Sequence, residues 1–518
     1  MADDCFVAVD IGTQSTRAAL IARDGRLIAQ ASQEYPLQTP APGWAEQDPR
    51  VWWQCTVETI RSILADSGVS PRQIACVGVD SQMHAAIPLD ENGEVLVPTV
   101  QLWCDKRAAS LVDAFRNRPD APMWSARAAN PPTTSWWGFK LKWLQAQHPD
   151  VYAKTWKFTT GAAFVVYRLT GVLAMSLSEA SGSFCMDART GDWSPDLVDC
   201  LGLDRAKLPP IAPATSIAGR ITPEAARLTG LAAGTPVAVG AADFPTTLLA
   251  AGMTDPGDAV DISGTSCLMA LLASEPAVDP RLMNLQHETG GWIAYGVVEA
   301  GGESLRWFRD LCCHREVAQA REAGRSAYDV LSEQASRIAP GAGGLLFFPY
   351  LLGERTLGSP HSRGVFFGLT PATDRAALTR AILEGITLEL RRVLAAAEQG
   401  GARVGKVRAI GGGAANSVWN QIRADIYGKP IVQFASHEGG ILGTVILAGL
   451  AVGLWPDARS AVDALTSVER VYEPNPDLAE RYDALFAEFQ TLHDLFIPSF
   501  ERLQKQATSP GRKAPAYG

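Results

Sequence analysis

The sequence has no run of lysine and arginine dense enough to make a polyanion-binding stripe. Its 46 Lys and Arg are outnumbered by 55 Asp and Glu, for a net charge of −9 and a pI near 5.4. That balance excludes nucleic acid and anionic membrane surfaces as main partners. Cysteine is sparse and unorganised: nine residues in 518, with no C-x-x-C pair and only Cys312 and Cys313 adjacent. An odd, scattered set in a chain of this size reads as reduced, mostly buried thiols, not a disulfide framework. Asp3 and Asp4 stand where a signal peptide would need basic residues, so none is expected, and a cytoplasmic location is. Long apolar runs are missing too. The one uncharged stretch, Gly439 to Trp455, is short for a bilayer span, and its glycines suit a closely packed buried helix.

What the chain does have is an ordinary globular composition, 47% apolar and 19% charged. At 518 residues it is too long for one core, and two domains are expected. Near the start, Phe6 to Val9 reads as a buried strand that stops at Asp10-Ile11-Gly12-Thr13-Gln14-Ser15. Gly12 permits a tight turn, so Thr13, Gln14 and Ser15 can offer N–H and hydroxyl donors to an anion. Asp10, at the strand end, is suited to hold a hydrated Mg²⁺ against that anion. Half a chain later Asp261-Ile262-Ser263-Gly264-Thr265-Ser266 repeats the pattern. Two strand–acid–glycine turns suggest two like-folded domains facing each other across a phosphate. This resembles the actin/hexokinase/chaperone ATPase superfamily.

Other strand ends carry further candidates. Ile74 to Val79 runs into Asp80-Ser81-Gln82-Met83-His84, and such ends face the ligand crevice in α/β sheets, so Gln82 and His84 could contact a polar substrate. Trp103 and Asp105 combine an aromatic face with a carboxylate, as sugar sites do. Asp243 closes a small-residue strand with almost no other charge nearby. It could lie against a substrate hydroxyl, or it could cap the helix that follows. Val407 to Ile410 opens into Gly411-Gly412-Gly413-Ala414-Ala415-Asn416 and a helix from Ser417 to Tyr427. There bare backbone could admit a base and ribose while Asn416 and the helix N-terminus supply donors. Two look-alikes fail: Gly400 to Lys406 has P-loop spacing, but Val407 replaces the required hydroxyl residue, and Gly411 to Asn416 lacks the last glycine of a dinucleotide fingerprint.

In combination these motifs resemble the FGGY family of carbohydrate kinases over the chain to about Phe496. The matching set is Asp10-Ile11-Gly12-Thr13, Gly43 to Asp48, Leu102-Trp103-x-Asp105-x-Arg107-Ala108, Asp243 and Ser263 to Ser266. It closes with Gly353-Glu354-Arg355-Thr356, Gly364 to Thr370 and Gly411 to Asn416. The resemblance implies an α/β fold of two ribonuclease-H-like domains with an interdomain cleft. Residues 1–250 would bind the sugar and 251–500 the nucleotide, with 501–518 a disordered tail. It also implies ATP and Mg²⁺ as cofactors, a small-molecule sugar substrate and Asp243 as catalytic base. Gly12, Thr13, Gln14, Ser15, Gly264, Thr265, Ser266, Gly411, Gly412, Gly413 and Asn416 would surround the ATP. Gln82, Met83, His84, Trp103 and Asp105 would surround the sugar, with Asp10 holding Mg²⁺ through water. A homodimer is left open. The Gln82-Met83-His84 and Trp103/Asp105 blocks look most like xylulokinases, which points to a ketopentose. Phe244 stands where xylulokinases usually have Asn, however, so ribulose, erythritol and deoxy sugars are alternative acceptors. The rival from another class is an ATP-binding actin-like regulatory protein that transfers nothing.

Overall fold

The computed structural model describes residues 5–508 apart from 278, 280, 355–360 and 436–438. Arg355 and Thr356 of the Gly-Glu-Arg-Thr motif therefore lie outside the described residues. The N-terminal sheet contains β1 (Cys5–Ile11), β2 (Ser15–Ala22), β3 (Leu27–Glu34), β4 (Ile74–Ser81), β5 (Ile217–Arg220), β6 (Pro236–Ala238) and β7 (Ala241–Ala242). Its order is β5-β6-β4-β1-β2-β3, with β7 also beside β4. The C-terminal sheet contains β8 (Ala259–Ser263), β9 (Cys267–Ala273), β10 (Met283–Gln286), β11 (Trp292–Val298), β12 (Val407–Ile410), β13 (Ile431–Phe434) and β14 (Val468–Tyr472). Its order is β10-β11-β9-β8-β12-β13-β14.

The two sheets share a plan. In each, an acid-bearing first strand pairs antiparallel with the next strand and parallel with a later one: β1 with β2 and β4, β8 with β9 and β12. The tight hairpins follow from the glycine turns, and the parallel pairs need helical crossovers. One such crossover, α1 (Pro49–Ser67), is capped by Asp48, starts on proline and ends at Gly68 in the left-handed region. It buries Trp52, Thr56, Ile60 and Ile63 along one stripe, the spacing of an amphipathic helix.

Seven further helices matter below: α2 (Trp137–Gln147), α3 (Asp243–Ala250), α4 (Gly301–Cys312), α5 (Arg375–Gln399), α6 (Ser417–Tyr427), α7 (Gly439–Ala451) and α8 (Ala479–Thr508). The uncharged stretch beginning at Gly439 is a buried helix, and among the described residues no helix is long and apolar enough to cross a membrane. Its location differs from the expected division into 1–250 and 251–500. Ile441, Val445 and Ala448 of α7 pack on Phe6, Ala8, Ile21 and Cys76 of the N-terminal sheet. Glycine makes the approach close: a Cβ on Gly443 would lie 2.0 Å from the Thr246 carbonyl oxygen of α3. By packing, this C-terminal helix belongs to the N-terminal layer.

The tail also differs from expectation. Residues 501–508, expected to be disordered with 509–518, continue α8 through Thr508; residues 509–518 lie outside the described residues. Polar composition suggested disorder, but the helix has already been nucleated by its buried face at Tyr482, Phe489 and Leu492, and propagation then costs little.

Candidate active site

Strand register assembles the site. Ile11 pairs with Ser81 across β1 and β4, and Ala242 pairs with Ser81 across β7 and β4. The next residue on each strand is Gly12, Gln82 and Asp243, so these three leave the sheet side by side at its carboxyl edge, where open α/β sheets bind ligands. The Gln82 N–H reaches the Ile11 carbonyl at 2.8 Å. Gly240, in the left-handed region at φ 87°, separates β6 from β7 and brings Asp243 to this edge. Asp243 is the first residue of α3, not its cap: Ala242 holds the cap position without a side-chain bond. The Asp243 carboxylate accepts only the Phe244 N–H, at 2.7 Å, among its described hydrogen bonds.

Acids crowd this edge. Asp10 and Asp80 are register neighbours, both buried. Arg17 forms an ion pair with Asp10, and the Thr444 hydroxyl of α7 donates to Asp80. Burial, and then the Asp10 charge, push the Asp80 carboxyl well above the ordinary carboxylate range. Burial pushes Asp243 up to about 7, with the Asp10 charge adding to it and the Phe244 N–H opposing. Behind it, burial raises Glu179 to about 8 and Glu288 to about 7. Thr160 donates to Glu179 at 2.5 Å. Ser178 donates to Glu288 and accepts the Ala242 N–H at 3.3 Å, which ties a C-terminal acid to the residue before Asp243. Sequence reading missed Asp80, Thr444, Glu179 and Glu288; only Asp80, alongside Asp10 in the next strand-end motif, carried a usable signal.

The donor set suits a hydrated Mg²⁺. Oδ1 of Asp80 has no hydrogen-bond partner, and Gly440 leaves room beside the pair: a Cβ there would stand 3.3 Å from Asp10 Oδ2. Among the described residues no group of three or more acid, His or Cys ligands could cage a metal. One or two carboxylates with water completing the shell is how Mg²⁺ is usually bound beside phosphates.

On the acceptor side, Gln82 donates to Gln47 Oε1 at 2.9 Å and accepts from Thr13 Oγ1 at 3.2 Å. Trp103 Nε1 also reaches Thr13 Oγ1 at 3.2 Å, with its ring 39% exposed. His84, two residues further on, is buried, its ring edge-on to Trp136 with centroids 5.2 Å apart. Gln82 and Trp103 are thus brought together at Thr13 of the first turn, with Gln82 itself buried. Two expected sugar contacts are not. Met83 is buried in an apolar cluster, because the chain past the strand end turns it inward. Asp105 is 1% exposed and its carboxylate is taken by the Ala45 N–H at 2.7 Å and by Arg107. Arg107 in turn lies 3.7 Å from the Trp44 ring centroid. Asp105 fixes the Trp44–Ala45 loop and has no lone pair to spare for a sugar.

Across the cleft the second turn closes through Gly264 N–H to Ser266 O at 3.0 Å. Helix α4 starts directly against it: Gly302 N–H donates to Gly264 O at 3.1 Å and Glu303 N–H to Thr265 O at 3.0 Å. A Cβ on Gly302 would be 2.2 Å from that Gly264 oxygen, so the glycine pair after Glu299 is a packing requirement. Asn416 caps α6 by accepting the Trp419 N–H at 3.0 Å and donates to Ser332 at 2.6 Å. The Gly264 turn, Gly412, Gly413, Asn416, Tyr328 and Arg306 line one cavity of about 480 Å³, within the range of small-molecule sites. Gln14 is exposed beside the first turn. The two turns differ in chemistry: Asp261 pairs with fully buried Arg423 and accepts the Tyr427 hydroxyl, whereas Asp10 pairs with the part-exposed Arg17 and lies beside Asp80.

The second turn makes a clean test. A Cβ at 264 would meet only Ser266 O at 3.5 Å, an ordinary contact. Gly264→Val is therefore expected to keep the fold and weaken MgATP binding by about tenfold or more, because backbone can no longer approach the phosphate. Equilibrium binding of MgATP checks this, and wild-type affinity in the folded variant would remove the turn from the nucleotide site.

Comparison with known proteins places these features in context. Residues 5–250 match the N-terminal domain, and residues 259–452 the C-terminal domain, of the FGGY family of carbohydrate kinases. A gluconokinase of Bacillus subtilis is 30% identical over 507 residues, covering 97% of each chain. A xylulose kinase of the same organism is 27% identical over 509 residues, covering 94% of this chain and 96% of its own. The crystal structure of a xylulose kinase from Rhodospirillum rubrum superposes with a TM-score of 0.89 at 31% identity, covering 96% of this chain and 99% of that one.

Proposed function

The chain belongs to the FGGY family of carbohydrate kinases, and from this we propose that it transfers the γ-phosphoryl group of MgATP to a hydroxyl of a neutral ketopentose. Gluconokinase and xylulose kinase relatives stand at similar identity, so the chemistry of the site itself must decide the acceptor. The observation that carries it is the crowding of mutually repelling acids at one sheet edge: Asp10, paired by Arg17, is the register neighbour of Asp80, and Asp243 follows the Ala242 that pairs with Ser81. An acceptor bearing its own carboxylate would add to that repulsion, whereas a ketose hydroxyl would not. Trp103, 39% exposed, supplies a ring face for sugar C–H surface, and the buried Gln82 amide holds the Thr13 hydroxyl beside it.

Phosphoryl transfer needs alignment and charge neutralisation more than covalent chemistry. The Asp243 carboxylate takes the proton of the attacking hydroxyl, from the sheet edge it shares with Gln82. The Gly12 and Gly264 turns hold the phosphates from opposite sides, and Gly412, Gly413 and Asn416 seat the adenosine. Asp10, with Asp80, would hold Mg²⁺ through water, and the metal when bound neutralises phosphate charge. Closure of the cleft excludes water, the competing acceptor.

Phe244 sets the preference within ketopentoses. Its ring packs against Tyr295 of β11 with centroids 5.0 Å apart, so no side-chain amide stands beside the base. One unpaired hydroxyl discriminates by roughly 1–3 kcal/mol. An ATP-consumption panel of ketoses, aldoses, gluconate and polyols is expected to show turnover of ketopentoses above gluconate by about tenfold, without confinement to D-xylulose. Preference for gluconate over every ketose would overturn the acceptor assignment. Strict selectivity for D-xylulose would overturn the role given to Phe244.

A further inference from the structure

Gln82 and Trp103 meet at Thr13 from two separate loops, one that leaves β4 and continues to His84 and one after the short strand Val100–Gln101. We infer that Lys140 is a positioning residue for the acceptor, a single buried ammonium that sets the separation of these two loops through their backbone carbonyls. The inference rests on the acceptor site described above.

Lys140 lies in α2 and is completely buried. Its Nζ donates to the His84 carbonyl at 2.8 Å and to the Leu102 carbonyl at 2.6 Å. His84 follows Gln82 by two residues, and Leu102 immediately precedes Trp103. The nearby acids do not serve as partners in ion pairs with Lys140: Glu46 and Asp105 are both taken by Arg107. Burying an ammonium against neutral carbonyls is costly, and an apolar side chain of the same length would pack there at lower cost. Burial accordingly pushes Lys140 down to about 7, against the pull of Asp105.

The loop it grips is otherwise under constraint. His84 has φ 66°, one of four described non-glycine residues in the left-handed region, where a backbone persists only if its surroundings hold it. Its ring is braced by Trp136 and rests on Gly182, where a Cβ would come within 2.4 Å of His84 Cε1. Ring contacts fix the side chain, and Lys140 fixes the peptide. The Leu102 carbonyl, which also accepts the Asp105 N–H at 3.2 Å, carries the same grip to the Trp103 loop.

The test is Lys140→Met, with Lys140→Gln as a second variant that restores two N–H donors should the first not fold. Steady-state kinetics with D-xylulose and D-ribulose are compared with MgATP kinetics and thermal melting. The expected result is an acceptor KM raised by about tenfold or more, since small displacements of positioning groups have large effects, with the MgATP KM unchanged and a smaller rise for Gln than for Met. A lysine that only stabilised the fold would lower the melting temperature and leave both KM values alone, and that result overturns the inference. Trp103→Ala and His84→Ala are run in parallel. If they raise the acceptor KM and the Lys140 variants do not, the positioning role falls and the site stands. If none of the four moves it, the acceptor site itself is wrong and the inference falls with it.

Discussion

Asp243→Asn is expected to lower kcat by about 10²–10⁴, the usual effect of removing a general base, while MgATP affinity stays at the wild-type level. Asparagine keeps the shape and still accepts the Phe244 N–H, so the start of α3 is preserved. A capping role would predict an active variant, because Asn caps as well as Asp. The position already argues against that role, since Asp243 is the first helical residue and bonds only to its neighbour. The same carboxyl gives a pH signature. With Asp243 raised to about 7, kcat in the wild type is expected to fall as the pH drops through about 7 and to level off above it. Its effect on stability has the opposite sense. A carboxyl whose folded value is raised binds its proton more tightly in the fold, so its stabilisation is present at low pH and lost as the pH rises through that value. The Asn variant escapes this loss and should melt higher than wild type at pH near 8. Wild-type turnover by the folded Asn variant would end the general-base assignment.

Arg423→Met is expected to destabilise the C-terminal half by about 3–5 kcal/mol, the cost of stranding a buried charge. Arg423 and Asp261 are both fully buried, with Nε 3.1 Å from Asp261 Oδ2. The guanidinium also bonds Ser263 and Asn420, and stacks 4.0 Å from the Trp419 ring centroid. Among the described residues, removing it leaves Asp261 with the Tyr427 and Ser263 hydroxyls, at 2.8 and 2.7 Å. Urea unfolding checks the size, and Asp261→Asn combined with Arg423→Met should recover part of the loss, as coupled sites do. A loss below about 1 kcal/mol in the single variant would mean that the pair is not isolated from water. The wider effect is on the cavity that Ser263 and Gly413 line, because both would lose Arg423 as their common anchor.

The parts of the site that are local in sequence were legible. The turns after Asp10 and Asp261, and the glycines before Asn416, declare themselves because an acid, a glycine and hydroxyls within a few residues have one conformational use. Side-chain direction beyond a strand end was not legible. Met83 and Asp105 lie one and two residues from site positions Gln82 and Trp103, and each turns inward, because irregular loops have no period to read. Least accessible were groups defined by distant partners. Thr444 bonds Asp80 across 364 residues, Glu288 meets Ser178 across 110, and Lys140 reaches His84 across 56. Helix α7 shows the same limit at the level of the fold: its uncharged sequence announced burial, but not against which sheet.

That helix has a consequence for how the chain is made. Until α7 is synthesised, Phe6, Ala8, Ile21 and Cys76 lack the cover of Ile441, Val445 and Ala448. About 190 residues separate the end of α3 from Gly439, and at roughly 5–20 residues per second that is a wait of roughly 10–40 s on the ribosome. The first half thus emerges long before it can be completed, with an apolar face open to chaperones or to self-association. A fragment ending near residue 250 would lack the apolar cover that Ile441, Val445 and Ala448 give this face. Completion of the first sheet's core thus waits on a helix encoded near the end of the chain.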